Sequence, residues 1–238
     1  MNPPEPTSAQ ILHRWTKDAD AIGIDFNTVW TTWVHTKAMM EAVGDSERAR
    51  KHPEAFYLRH FVLQATIEHI ILGVRRQVDR DKRARSLRNL LEEIIARPDG
   101  YALDACVARS LERADGWGFQ GHRDQYEAEA RALYVQVADA SGTQFDVPKL
   151  QADLAELASL CADLKTIADK YIAHKDREAP DIGVDFATLD DRIAKLRALQ
   201  RKYTRLFDGG SAGAGEPDPE EMRSLYRFPW LADADDLR

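Results

Sequence analysis

One short stretch of this 238-residue chain combines groups that can move a proton at a phosphate ester: Ala168-Asp169-Lys170-Tyr171-Ile172-Ala173-His174-Lys175-Asp176. On a helix, His174 falls one turn after Lys170 and shares its face, while Asp176 lies within reach of the helix end. An imidazole titrates near neutrality, so His174 can take and return a proton, and its protonated form can meet charge developing on a phosphate. The same residues also describe a histidine that satisfies the last carbonyls of a helix, with Lys170 and Asp176 as solvated neighbours. The residue types alone leave both readings open.

A second chemical feature is basic. Residues 75–88 carry Arg75, Arg76, Arg80, Lys82, Arg83, Arg85 and Arg88 against Asp79 and Asp81, a local charge of 7 − 2 = +5. Forked guanidinium groups suit phosphate oxygens. The alternative is a solvated helix end in which Arg75 pairs with Asp79 one turn on and the helix dipole favours the cations. Arg75 is expected on the inner face of its helix, where a guanidinium needs a carboxylate or phosphate partner.

Other chemistries find little support. His13, His35, His52, His60, His69 and His122 show no metal-ligand spacing, so no metal or cofactor is expected. No glycine-rich phosphate loop, nucleophile elbow or zinc-protease helix is present. Cys106 and Cys161 cannot build a disulfide framework and read as buried thiols. The opening Met-Asn-Pro-Pro-Glu-Pro lacks the pattern of a signal peptide, and apolar runs such as Ile70-Ile71-Leu72-Gly73-Val74 are too short for a membrane helix. The expectation is a cytoplasmic protein with no membrane partner.

The elements that must position these residues are helical. A stripe of Leu150, Leu154, Leu157, Cys161, Leu164, Ala168 and Tyr171 predicts a helix from about residue 147, capped by Asp146, that the histidine motif closes. A second stripe, Leu189, Ile193, Leu196, Leu199, Tyr203 and Leu206, predicts another helix, with Thr188 as its N-cap. Pro53 opens a long helix with Tyr57, Phe61, Gln64, Glu68, Ile71, Arg75 and Val78 on its facing side, widened by Ile67, Leu72 and Val74. Ser86 caps a short helix that Arg97-Pro98-Asp99-Gly100 stops. Further helices are expected over about 28–43, 101–113 and 122–140, and no strand pattern appears. The fold class is all-α, a bundle of six or seven helices.

The division expected is an N-terminal segment 1–24, with its first ten residues loose, a helical domain 25–207, and a glycine-rich linker with acidic tail, 208–238. That tail holds eight acids and three bases, a net of 3 − 8 = −5, out of −7 for the whole chain. The body therefore has 30 bases and 32 acids, so the overall charge does not exclude a nucleic-acid partner. The segment Met222–Leu231, with its apolar anchors, is expected to dock back on the body or to meet a partner.

The pattern Leu164-Lys165-x-x-Ala168-Asp169-Lys170-x-x-Ala173-His174-Lys175-Asp176 resembles the motif of HEPN domains of the abortive-infection, AbiU type. So does the upstream pair Ile71-Leu72-Gly73-Val74-Arg75-Arg76-Gln77-Val78-Asp79-Arg80-Asp81 and Ser86-Leu87-x-x-Leu90-Leu91. The resemblance covers about residues 25–207. It implies a HEPN-like bundle that forms homodimers, with the motif helices facing each other across a cleft. It also implies a metal-independent endoribonuclease of toxin–antitoxin or phage-defence systems, with RNA as substrate and an antitoxin or defence protein as partner. Carried across, His174 matches the family histidine and Asp169 the polar residue; Lys170 joins them as a catalytic cation. Arg75, Arg76, Lys165 and Lys175 would contact RNA, with Asp79 and Asp176 orienting. The chain departs from the pattern at the family arginine, which falls at Ala168, and no arginine lies between Arg131 and Arg177. A catalytically silent HEPN-fold module for a nucleotide, RNA or protein partner is the other reading.

Overall fold

The computed structural model describes residues 7–45, 51, 53–116, 118–167 and 186–207. Among them are seven α-helices: α1 Ser8–Asp45, α2 Pro53–Gln77, α3 Leu87–Ala96, α4 Leu103–Gly116, α5 Arg123–Val135, α6 Val147–Ile167 and α7 Phe186–Phe207. A 3-10 turn at Gln120–His122 leads into α5, and the one β-bridge among the described residues joins Ala138 to Phe145. The all-α expectation holds.

The four long helices form the frame. α1 packs on α2 and α7, and α6 packs on the same two from the far side. Apolar residues at three- and four-residue spacing fill the interior: Ile22, Phe26, Val29 and Trp33 from α1, Ile70 and Val74 from α2, Leu150, Leu157 and Leu164 from α6, and Ile193, Leu196 and Tyr203 from α7. The α7 stripe and the described part of the α6 stripe, Leu150 to Leu164, therefore face the core, as their spacing predicts; Ala168 and Tyr171 lie outside the described residues. Asp146 caps α6 through the Lys149 amide at 3.2 Å, and Ser86 caps α3 through the Asn89 amide at 3.1 Å.

Three expectations need correction. The chain is helical from Ser8, and Ile11, Trp15, Ala19 and Ile22 are core, so the first ten residues are not all loose and a break at residue 24 falls inside one helix. α7 is already helical at Phe186, whose ring lies 4.5 Å from that of Trp33, so Thr188 sits within the helix and is not its cap. Finally, the facing side of α2 is displaced. Tyr57 and Phe61 are exposed, and the buried positions are Ile70, Ile71, Val74, Gln77 and Val78. Two aromatic residues at helical spacing cannot report which side has a neighbour.

Close approach fixes the α1–α2 contact. A Cβ on Gly73 would stand 2.2 Å from Val29 Cγ2, so a side chain there would force the helices apart.

Candidate functional site

Five of the seven cations in the basic segment are held by carboxylates: Arg75 by Asp79 at 3.7 Å, Arg76 by Asp25 at 2.9 Å, Arg83 by Asp81 at 2.7 Å, Arg85 by Asp18 at 3.4 Å and Arg88 by Glu92 at 2.8 Å. Asp25 also accepts from Gln77 Nε2 at 3.0 Å. Adding Asp18, Asp25 and Glu92 to the count reduces the local charge from +5 to +2. Only Arg80 and Lys82, both exposed, lack a carboxylate partner among the described residues. Arg75 is not on the inner face; its side chain is half-exposed at the edge of α2. The segment acts mainly as a tie between α2, the following loop, α1 and α3.

Sequence reasoning missed those ties because Asp18 and Asp25 are 67 and 51 residues away from Arg85 and Arg76, and no local spacing links them. Burial raises the Asp18 carboxyl above the ordinary carboxylate value, against the pull of the nearby Arg85 and Arg14.

The pairings also fix which end of each helix lies where. Asp25 of α1 meets Arg76 and Gln77 at the end of α2, and Gly23 faces Gln200 and Thr204 of α7. Asp153 of α6 in turn takes the Lys202 ammonium and the Tyr203 hydroxyl of α7. These contacts lie at one level of the bundle. Ile167, the last described residue of α6, comes fourteen residues after Asp153, about 20 Å further along the axis at 1.5 Å per residue. The Arg75–Asp79 turn and the described end of α6 are therefore at different levels of the same chain.

Lys165 lies on the last turn of α6, but its side chain is outside the described residues, as are Asp169, Lys170, His174, Lys175 and Asp176. At the level of the last described residue of α6, α1 and α2 flank an open groove of about 280 Å³, lined by Thr31, Thr32, His35, Thr36, Met39, Val62 and Thr66. Near it Asp190 of α7 accepts from Trp33 Nε1 at 2.6 Å and Lys37 Nζ at 2.7 Å. Burial opposes ionisation of Asp190, but these two donors outweigh it and hold the carboxyl below its ordinary value.

Among the described residues no group of three or more His, Cys, Asp or Glu could hold a metal ion. Cys106 and Cys161 are buried and free. Burial pushes the Cys161 thiol up to about 12, so it is no ready nucleophile. No helix among the described residues is long and apolar enough to cross a membrane.

Searches of curated proteins and of solved structures returned no match. The sequence does match the AbiU2 family of HEPN domains, over residues 9–227. That span takes in α1 from its second residue, both motif regions and part of the acidic segment. The chain thus belongs to the AbiU2-type HEPN family.

Proposed function

We propose that this chain acts on RNA as a metal-independent endoribonuclease of a phage-defence or toxin–antitoxin system, centred on the segment 165–176. The observation that carries this reading is family membership across the bundle, with His174 at the family histidine. The RNA 2′-hydroxyl would attack the adjacent phosphorus as His174 takes its proton. The 5′-oxygen would leave with a proton, giving a 2′,3′-cyclic phosphate and a 5′-hydroxyl end. Lys165, Lys170 and Lys175 would supply the charge that steadies the phosphate, with Asp169 and Asp176 orienting the imidazole. Arg75 and Arg76 are engaged by Asp79 and Asp25, so they are the weaker candidates for RNA contacts. The functional unit would be a homodimer acting in the cytoplasm, with a defence or antitoxin protein as its partner.

One observation favours a second reading, a silent binding module: alanine at position 168 cannot bind a phosphate as the family arginine does. The two are separated by incubating purified protein with total RNA in the presence of a chelator. Cleavage that survives the chelator and is lost in His174→Ala supports the enzyme. RNA binding without cleavage in wild type, with cleavage appearing in Ala168→Arg, supports the silent module. Equal cleavage by wild type and His174→Ala would remove His174 from the mechanism.

A further inference from the structure

We propose that the loop between α2 and α3 is the seat of the chain's own acidic segment, residues 216–221, whose carboxylates take the exposed Arg80 and Lys82 side chains. The contact does not depend on any action on RNA.

This loop is a built surface and not a slack connection. Asp79 accepts from the Asp81 amide at 3.0 Å, and Asp81 accepts from the Arg83 amide at 2.9 Å and from its guanidinium at 2.7 Å. The Ser86 hydroxyl donates to the Asp79 carbonyl at 2.9 Å, and Asn89 Nδ2 donates to the carbonyls of Asp81 and Ala84 at 2.7 and 2.9 Å. Both carboxylates of the loop are thus occupied, by backbone amides and by Arg75 and Arg83. Arg80 and Lys82 remain exposed, with no carboxylate partner among the described residues. Because the backbone that carries them is already ordered, an anionic ligand loses less entropy in binding there.

Three features select this occupant. The first is charge: Glu216, Asp218, Glu220 and Glu221 stand in six residues without a base, and the intervening Pro217 and Pro219 restrict the backbone that presents them. The second is reach. The ring of Phe207, the last described residue of α7, lies 5.9 Å from that of Trp15. Asp18, about one turn further along α1, holds Arg85 at 3.4 Å, and Lys82 is three residues from Arg85. These steps put Arg80 and Lys82 about 20–25 Å from Phe207. Residues 216–221 follow Phe207 by nine to fourteen residues, and a glycine-rich chain of that length spans about 16–21 Å on average. Two long side chains cover the remainder, which keeps the carboxylates at about millimolar effective concentration. The third is the family match, which runs past the glycine-rich stretch to residue 227 and so treats the acidic segment as part of the domain.

The test uses full-length protein and the rate of chymotryptic cutting after Tyr226, five residues beyond Glu221, with a synthetic peptide of residues 208–238 as the unprotected reference. The full chain should be cut severalfold more slowly than the peptide, and raising the salt should close that gap, because the contact is electrostatic. Arg80→Glu/Lys82→Glu should speed cutting severalfold, as should Glu220→Arg/Glu221→Arg. The four changes together restore opposite charges and should slow cutting again toward the wild-type rate. Circular dichroism should show every variant folded. Equal rates in wild type and Arg80→Glu/Lys82→Glu would overturn the proposal, as would a fourfold variant cut as fast as either parent. Protection that fades on dilution of the wild type would place the segment on a second copy and overturn docking in cis. Unchanged cutting in Arg80→Glu/Lys82→Glu, together with lost retention of a single-stranded RNA oligonucleotide, would assign the two cations to RNA and overturn the proposal.

Discussion

At one end of the bundle Trp15, Tyr101, Tyr134, Phe145 and Phe207 are all 2% exposed or less, whereas at the other Tyr57 and Phe61 are 72% and 69% exposed. The closed end is an aromatic nest. Tyr101 sits 5.1 Å from Phe207, 6.3 Å from Phe145 and 6.4 Å from Tyr134, and Phe207 meets Trp15 edge-on at 5.9 Å. Its polar atoms are satisfied: the Tyr101 hydroxyl donates to the Leu206 carbonyl at 2.9 Å, and the Tyr134 hydroxyl donates to the Tyr101 carbonyl at 2.8 Å. The open end is held by the α1–α7 contact through Asp190 and Phe186, with the groove beside it. Ile167, the last described residue of α6, lies on that open side, and the next residues in sequence carry the histidine motif. A fold that stores stability at one end can leave the other available for ligands.

The largest blow to this asymmetry is Trp15→Ala. It empties a fully buried indole from beneath Phe207 and Gly100, and should cost about 3–5 kcal/mol. Urea denaturation followed by circular dichroism measures it. A loss below about 1 kcal/mol would mean the nest is not where stability resides.

Gly73→Ala tests the neighbouring α1–α2 contact by overfilling. With Val29 Cγ2 2.2 Å from the added carbon, the helices must shift, at about 1–3 kcal/mol. Val29→Ala in the same chain should recover part of that loss, which distinguishes the clash from any general effect on α2.

The open end should instead answer to acid. The Asp190 carboxyl titrates lower in the folded chain than its ordinary 3.8, so its stabilising effect is complete above that value and is lost as pH falls through the lower folded value. Wild type should therefore lose part of its stability below pH ~4, and Asp190→Asn should be less stable at neutral pH with a flatter acid profile. Hydrogen exchange on α7 should place that loss near Phe186. An Asp190→Asn profile that matches wild type would show that the Trp33 and Lys37 contacts do not hold this end.

How far the sequence revealed this arrangement differs by element. The stripes of α6 and α7 and the caps at Asp146 and Ser86 could be read because each is a local pattern of spacing and side-chain type. The reach of α1 back to Ser8 could not, because Pro-rich residues at the very start obscured the pattern Ile11, Trp15, Ala19, Ile22. The basic segment misled for a different reason. Seven cations in fourteen residues suggest a phosphate surface, while the carboxylates that neutralise much of it, Asp18 and Asp25, arrive only through tertiary packing. Position 174 was legible as chemistry by its residue type and spacing, whereas buried Arg197 on Trp30 carried no local mark.

The smallest effect belongs to the residues that misled the reading of α2. Tyr57 and Phe61 have the size and spacing of core positions, yet each is mostly exposed, so removing either takes little apolar surface out of contact with protein. Tyr57→Ser and Phe61→Ser should each change stability by less than about 0.5 kcal/mol, an order of magnitude below Trp15→Ala. Denaturant melts at two protein concentrations measure this and also test what the aromatic residues do. A midpoint that rises with concentration in wild type but not in Phe61→Ser would mean a second chain covers this face. A large loss that is independent of concentration would mean that α2 packs its first turns in solution, and the contrast between the two ends would disappear.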